Sequence, residues 1–397
     1  MRVLIVNDLA REGGAELQTF REAKLLRQRG HVAKVLTFDH GVASVDTDEH
    51  TNFPIRRSIP RMGAQQFLPD PTLVMRIRRV VREFQPDLIH VNNMWKTGVS
   101  MLRSVGEVPV VQTIRDYATV CPKGTAVDRE MRACEGYATN DCVARCGIST
   151  FQRIQLLGLR SFNPQRARVV DQFLCPSSAL AETATGNGLA TRGLPNPFDF
   201  DVLVPEEERN TPGDTRDYLF YGNISKRKGI VELLLAWEAF AASRPDARLL
   251  LAGGVHEDFA SEIDTWLARV PQVEHLGRLD NPAIMALLPT IHCVVVPSLW
   301  QENYPNTVLE AQANRTLVIG ANRGGIPELI ERPEWMFDIT VDGELLACLE
   351  RTWDLTDEEY EGAVAHGYDR VTRDNTPEVF MDRLLGVFDE VLARRAS

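Results

Sequence analysis

Short apolar runs separated by longer amphipathic stretches recur along the 397-residue chain. RVLIVND at 2–8 leads into GAELQTFREAKLLRQRG, which ends at Gly30, and HVAKVLTF follows. DLIHVNN at 87–93 and VPVVQTIRD at 108–116 repeat the pattern. Short β-branched runs predict buried strands, and stretches with apolar residues three or four apart predict helices. Beyond residue 200 the rhythm restarts with YLFYGN at 218–223, then GIVELLLAWEAFAAS, ARLLLAGG, HCVVVPS and TLVIGAN, each trailed by a helical or turn segment. Strands alternating with helices imply parallel sheets built from right-handed βαβ units. LPNPFDFDVLVPEEE at 194–208, rich in proline and acid, lies between the two halves. The expectation is α/β, with domains at 1–198 and 199–375 and a last helix at about 376–395 that packs back on the first.

Composition narrows the class. The length exceeds one ordinary core, and 44% hydrophobic with 25% charged residues fits a soluble globular chain. No apolar run reaches the length of a bilayer span, and MRVLIVNDL meets Asp8 too soon for a signal peptide. The expected location is cytoplasmic, so the seven cysteines read as thiols or metal ligands before disulfides. The net charge of −11 is unevenly spread: residues 1–200 hold 26 Lys and Arg against 20 Asp and Glu, the remainder 18 against 35. So acidic a chain is a poor nucleic-acid binder, and no nucleic-acid partner is expected. RIRRVVR at 76–82 sets Arg76, Arg79 and Arg82 on one helical side, which suits either plain solvation or peripheral contact with the inner membrane face.

The candidate chemistry clusters where strands end. PSLWQENYPNTVLEA at 297–311 reads as strand exit, loop and helix, with Glu302 in the loop and Glu310 in the first helical turn. In open α/β sheets, ligands bind beyond the carboxyl ends of the strands. Thr307 with Glu310 also forms the T-x-x-E of a capping box, which gives Glu310 a structural task instead. Gly13 and Gly14 follow the first strand and open a helix, where small residues let amides approach an anion or simply make a tight turn. YGNISKRKG at 221–229 contributes Gly222, Asn223, Arg227 and Lys228, the last just ahead of Gly229 and the next helix. GGIPELI at 324–330 supplies a third strand-end loop. No G-x-G-x-x-G dinucleotide fingerprint and no Walker spacing is present.

Together, Gly13-Gly14, Gly30-His31-Val32, Pro195-Asn196-Pro197, Lys228-Gly229, Glu302 with Glu310, and Gly324-Gly325-Ile326-Pro327-Glu328 resemble the family 4 retaining glycosyltransferases of GT-B fold. ENYPNTVLEA is the most specific part, and the likeness spans nearly the whole chain. It implies two Rossmann-like domains with parallel sheets facing across a cleft, and a nucleotide-diphosphate sugar held mainly by the second. UDP is favoured as its nucleotide, with GDP or dTDP as alternatives. By carry-over, Glu302 contacts the donor sugar and Glu310 the ribose. Lys228, helped by Arg227, and the amides near Asn306, Thr307 and Val308 hold the diphosphate, with Asn303, Tyr304 and Pro305 as further donor-binding residues. Gly13 and Gly14 close over it. The acceptor hydroxyl would belong to a glycan, a lipid-linked sugar or a small molecule. No D-x-D stands in a suitable position, so Lys228 replaces a metal and catalysis needs no cofactor. Two positions depart from the family pattern. Asn223 stands where arginine is common, and Arg115-Asp116 where His precedes Asp, leaving Arg115 to contact sugar or phosphate. His90 is an alternative polar group. A non-catalytic nucleotide-sugar-binding protein and another GT-B enzyme, such as an epimerase, are the rival readings.

Cys121, Cys134, Cys142 and Cys146 fall within one loop at 117–150, after the strand that ends near 114. Some relatives resemble this chain in carrying such a Cys-rich loop, often beginning Cys-Pro. Four thiolates suit a structural zinc or an iron–sulfur cluster, although no C-x-x-C pair is present and free thiols or disulfides fit as well. Cys175, Cys293 and Cys348 lie in apolar runs and read as core.

Overall fold

The computed structural model describes residues 1–10, 14–39, 41–55, 67–92, 94, 97–134, 141–205, 216–270 and 272–397, with backbone alone at 14–17. Gly13 therefore lies outside the described residues. The chain forms two compact units. The first comprises Met1–Arg129, Cys134–Pro197 and Pro377–Ser397; the second comprises Glu130–Ala133 and Phe198–Thr376.

The first unit is built on an eight-stranded sheet. In chain order its strands are β1 (Arg2–Val6), β2 (Val32–Thr37), β3 (Val45–Asp46), β4 (His50–Asn52), β5 (Leu88–Val91), β6 (Val110–Thr113), β7 (Gln172–Cys175) and β8 (Thr191–Gly193). They lie in the order β3-β4-β2-β1-β5-β6-β7-β8, parallel except for the β3–β4 pair. The period of two in β1 divides its side chains between two cores. Leu4 and Val6 join the cluster that contains Ile77, Phe84 and Phe162. Val3 and Ile5 join the opposite one, where the helix Pro377–Ala396 contributes Phe380, Leu384, Phe388 and Val391. The C-terminal helix thus covers one face of the first sheet.

The second unit holds six parallel strands: β9 (Arg216–Tyr221), β10 (Ala247–Ala252), β11 (Val273–Gly277), β12 (Cys293–Val296), β13 (Leu317–Ala321) and β14 (Met336–Phe337). Their order is β11-β10-β9-β12-β13-β14. Both sheet faces are covered, and Tyr218, Trp237, Phe240 and Phe337 are among the fully buried large side chains. The apolar runs in the sequence coincide with β1, β2, β5, β6, β9, β10, β12 and β13. Six further strands, β3, β4, β7, β8, β11 and β14, come from short segments whose apolar signal is weak. Pairing with a neighbour, not local propensity, makes them strands.

Leu384 has no exposure in the helix covering the first sheet. Leu384→Ala is expected to lower the stability of the first unit by about 2–5 kcal/mol through lost burial and a residual cavity. Denaturant unfolding measures this, and a loss under about 1 kcal/mol would contradict the packing described.

Candidate functional site

In the second unit, three loops leaving the carboxyl ends of β9, β12 and β13 are pressed together at backbone level. Lys226–Lys228 forms a single 3-10 turn, and Gly229 follows in the left-handed region at φ 76° before the helix Ile230–Ala241. A Cβ at Gly229 would stand 1.7 Å from the Pro297 carbonyl oxygen, so only glycine permits this approach. The Leu299 amide donates to the Arg227 carbonyl across the same seam at 3.1 Å. Gly324, at φ 57°, brings the third loop in: its Cβ would lie 1.9 Å from the Glu302 carbonyl oxygen. The Gly325 amide donates to that oxygen at 2.8 Å.

These approaches set Glu302 beside Lys228. Glu302 Oε1 accepts from Lys228 Nζ, Ser298 Oγ and Trp300 Nε1, each at 2.6 Å. The Glu302 side chain is 8% exposed and that of Lys228 27%. A buried carboxylate persists only when paired and hydrogen-bonded, and three donors on one oxygen meet that condition. Among the described residues no donor reaches Oε2, so the carboxylate is pinned through one oxygen and retains accepting capacity on the other. Lys228 Nζ and Arg227 Cζ lie 5.1 and 5.0 Å from the Trp300 ring centroid, which holds both cations at the loop.

A pocket of about 430 Å³ opens at the ends of β9 and β10, lined among others by Tyr221, Gly222, Asn223, Gly253, Arg278, Asn281 and Glu310. Its floor depends on another close approach: a Cβ at Gly253 would meet the Gly222 carbonyl oxygen at 1.7 Å. Glu310 accepts from Tyr221 Oη at 3.0 Å and from Asn281 Nδ2 at 3.5 Å. Burial, then the Glu310 charge, pushes the Tyr221 phenol well above its usual range, so it stays a donor. Arg278 is exposed in the lining and meets no acceptor among the described residues.

The capping box expected at Thr307 and Glu310 does not form. The helix runs Asn306–Ala313 with Pro305 as its N-cap, and no side chain caps it. Starting at Asn306 puts Glu310 two residues beyond the capping position, and its carboxylate meets Tyr221 in the pocket. Of the amides expected to meet a diphosphate, that of Val308 donates to the Pro305 carbonyl at 3.1 Å. Tyr304 is buried, with its hydroxyl accepting from Asn375 Nδ2 at 2.9 Å, and Val308 is fully buried. Asn303 is half-buried and Asn306 exposed. Tyr221, Ser298, Trp300, Arg278 and Asn281 went unnoticed in the sequence. Gly222, at the end of β9, is the singled-out residue that lines this pocket together with Asn223 and Glu310.

The first unit carries its own polar cluster at the ends of β5 and β6. Arg115 donates through Nε and Nη2 to Asn92 Oδ1 at 3.1 and 2.5 Å, and through Nη1 to Asn196 Oδ1 at 2.6 Å. Asn92 Nδ2 donates to Glu22 Oε2 at 3.2 Å, which orients the amide oxygen toward Arg115. Glu22 Oε1 lies 2.5 Å from His90 Nδ1, and His90 Nε2 lies 2.8 Å from Thr113 Oγ1. His90 is therefore fully engaged inside the unit. Asp116 caps the turn Tyr117–Thr119 by accepting the Ala118 amide at 3.0 Å. Gly14 begins the helix Gly14–Gln28.

The metal site expected at Cys121, Cys134, Cys142 and Cys146 is not supported. Among the described residues, no group of three or more His, Cys, Asp or Glu is placed to hold a metal ion. The four side chains do line one cavity of about 10 Å³, closed by Pro122, Lys123 and Ile148. Burial, followed by the neighbouring Cys142, raises the Cys146 thiol. Cys175, Cys293 and Cys348 are buried.

Residues 205–347 match the family described as "Glycosyl transferases group 1", and residues 13–172 match the "Glycosyl transferase 4-like domain". The D-inositol 3-phosphate glycosyltransferase of Corynebacterium aurimucosum is 25% identical over 264 residues, 62% of this chain and 58% of that protein. The match thus spans less than two thirds of that relative's length. Sucrose-phosphate synthase from Thermosynechococcus elongatus is similar in structure at a TM-score of 0.76 and 18% identity, covering 99% of each chain. Anabaena HepE, solved in complex with UDP, gives 0.71 at 17% identity, covering 98% of this chain and 100% of its own. The fold is GT-B. The family matches support a glycosyltransferase of the family 4 type.

The glycine seam makes a measurable prediction. Gly324→Ala is expected to destabilise the second unit by about 1–3 kcal/mol, from left-handed strain and the displaced Glu302 carbonyl. Gly362→Ala, in the helix Asp357–Asp374 where an added Cβ meets nothing within 4 Å, should stabilise by up to about 1 kcal/mol. Equal effects of the two in denaturant unfolding would contradict the close approach.

Proposed function

We propose that the chain is a retaining glycosyltransferase that moves a sugar from a nucleotide-diphosphate donor to an acceptor hydroxyl. The observation that carries this reading is the Lys228–Glu302 pair, held at strand-end loops of the same unit as a pocket with the volume for a nucleoside. Glu310, oriented by the Tyr221 hydroxyl, offers that pocket an acceptor for ribose hydroxyls, and Arg278 offers a cation. Glu302 Oε2 would accept from a hydroxyl of the donor sugar. Breaking the glycosyl–phosphate bond leaves negative charge on the diphosphate while the sugar carbon becomes positive. Lys228, with Arg227 nearby, meets the first change, and the uncapped start of the helix Asn306–Ala313 adds its amides and dipole. In this reading Lys228 supplies the countercharge, and catalysis needs no metal.

Before the donor arrives, Glu302 neutralises Lys228. The incoming diphosphate then competes for the ammonium group, and the sugar hydroxyl takes up the accepting capacity of Glu302. The Arg115 cluster in the first unit is a further contact for sugar or phosphate, its side chain oriented by Asn92 and Asn196. Asp116, which accepts the Ala118 amide, stands beside Arg115 as a further catalytic candidate. UDP is the first nucleotide to test, since the similar HepE structure contains it, and GDP and dTDP follow. The acceptor is a glycan, a lipid-linked sugar or a small molecule.

Incubation with UDP-, GDP- and dTDP-sugars, with and without acceptors, should release nucleotide from one donor class. Glu302→Gln is expected to lower kcat about 10²-fold or more while nucleotide affinity stays within about threefold. Near-normal turnover in that variant removes Glu302 from the site. Glu310→Gln, by contrast, should weaken nucleotide binding about tenfold with a smaller effect on kcat. Tight nucleotide binding by the unmodified protein with no turnover on any donor would instead mark a non-catalytic sugar-nucleotide binder.

A further inference from the structure

Within the first unit, exposed apolar side chains gather on one helix. Thr150–Val169 buries Leu156, Leu159 and Phe162 on its inner face. Its outer face presents Phe151, Ile154 and Leu157, which are 44%, 56% and 64% exposed. At 100° per residue, these three span about one third of the helix circumference over its first two turns. Phe67 packs against Gly158 of the same helix, 6.1 Å from the Phe162 ring, and is followed by Leu68, which is 61% exposed. Isolated surface leucines are ordinary, but a contiguous apolar face marks an interaction site.

The charges on the same helix indicate what covers it. Its 20 residues include Arg153, Arg160, Arg166 and Arg168 and no acid, in a chain whose net charge is −11. Arg166 is buried, while the other three are exposed. Arg153 and Arg160 border the apolar arc, and Arg153 and Arg168 meet no carboxylate among the described residues. The helix Pro71–Phe84, whose arginines suggest membrane contact in the sequence, is a poorer candidate. Arg76 lies over the Phe53 ring, Arg78 donates to the Arg103 carbonyl and Arg79 pairs with Glu83. No described helix is long and apolar enough to cross a bilayer.

We propose that the Phe151, Ile154 and Leu157 face docks in the interface of a bilayer carrying anionic headgroups, with the arginines on the lipid phosphates. An apolar stripe bordered by cations on a helix lying flat is the arrangement such surfaces select. The inference rests on the first unit alone and does not depend on the donor-site reading.

Flotation of the full-length protein with phosphatidylglycerol/phosphatidylcholine vesicles tests it. Binding should exceed that to pure phosphatidylcholine and weaken as salt rises. Ile154→Glu with Leu157→Glu should lower the partition coefficient about tenfold or more, with the unfolding transition and nucleotide binding unchanged, since both side chains already face water. Arg153→Gln with Arg160→Gln should reduce binding to the anionic vesicles alone. Failure of the unmodified protein to bind anionic vesicles, or equal binding by the glutamate variant, overturns the proposal. So does a dimer in solution that the glutamate variant disperses, because the face would then belong to a second copy of the chain.

Discussion

Everything in the second unit's candidate site depends on backbone approaching backbone at three glycines. Gly229 lies on Pro297, Gly324 on the carbonyl of Glu302 and Gly253 on that of Gly222, each nearer than any side chain allows. Loops at the ends of parallel strands are ordinarily the adaptable part of an α/β fold. Here the contacts join β9 to β12, β12 to β13 and β10 to β9, so the edge of the sheet becomes a rigid platform. A functional carboxylate can then be held by structure rather than by its ligand.

The carboxylates use that platform differently. Glu302 is nearly buried, and taking a carboxylate out of water is costly unless it is paired and hydrogen-bonded. Lysine, serine and indole donors on one oxygen offset that cost and fix the side-chain orientation. Glu310 sits in the pocket lining, where Tyr221 and Asn281 restrain it less tightly. One site is charged and closely held, the other open enough for a hydroxyl-bearing ligand. The same preorganisation recurs in the first unit, where two asparagine oxygens orient Arg115 and Glu22 orients one of those asparagines. In that unit the lipid-facing inference would also bring a lipid-linked acceptor and the protein to the same surface.

Much of the fold was legible because strands buried on both faces read as unbroken apolar runs, as in RVLIVND, YLFYGN and HCVVVPS. QFLC, TRG and VEHLG are too short or too polar to announce themselves, and become strands through their neighbours. Glu302 and Lys228 stood out because their loops carried no structural reason for a charge. T-x-x-E looks like a cap for Glu310, but with Pro305 as N-cap the helix starts at Asn306 and the carboxylate meets Tyr221 and Asn281 instead. Tyr221 is far in sequence from Arg278 and Asn281, and they share a pocket only because β9, β10 and β11 end together. The cysteine spacing showed that the four residues cluster, yet could not show whether they converge as thiolates around a metal or pack as thiols against Ile148.

The central claim is that the Tyr221–Glu310 pocket and the Lys228–Glu302 pair are two ends of one donor site. A crystal structure with bound UDP tests it most directly. The account predicts the ribose within hydrogen-bonding distance of Glu310 and the diphosphate within reach of Lys228 Nζ and the amides at the start of the helix Asn306–Ala313. Nucleotide bound elsewhere, or bound in the pocket with its phosphates directed away from Lys228, would contradict it.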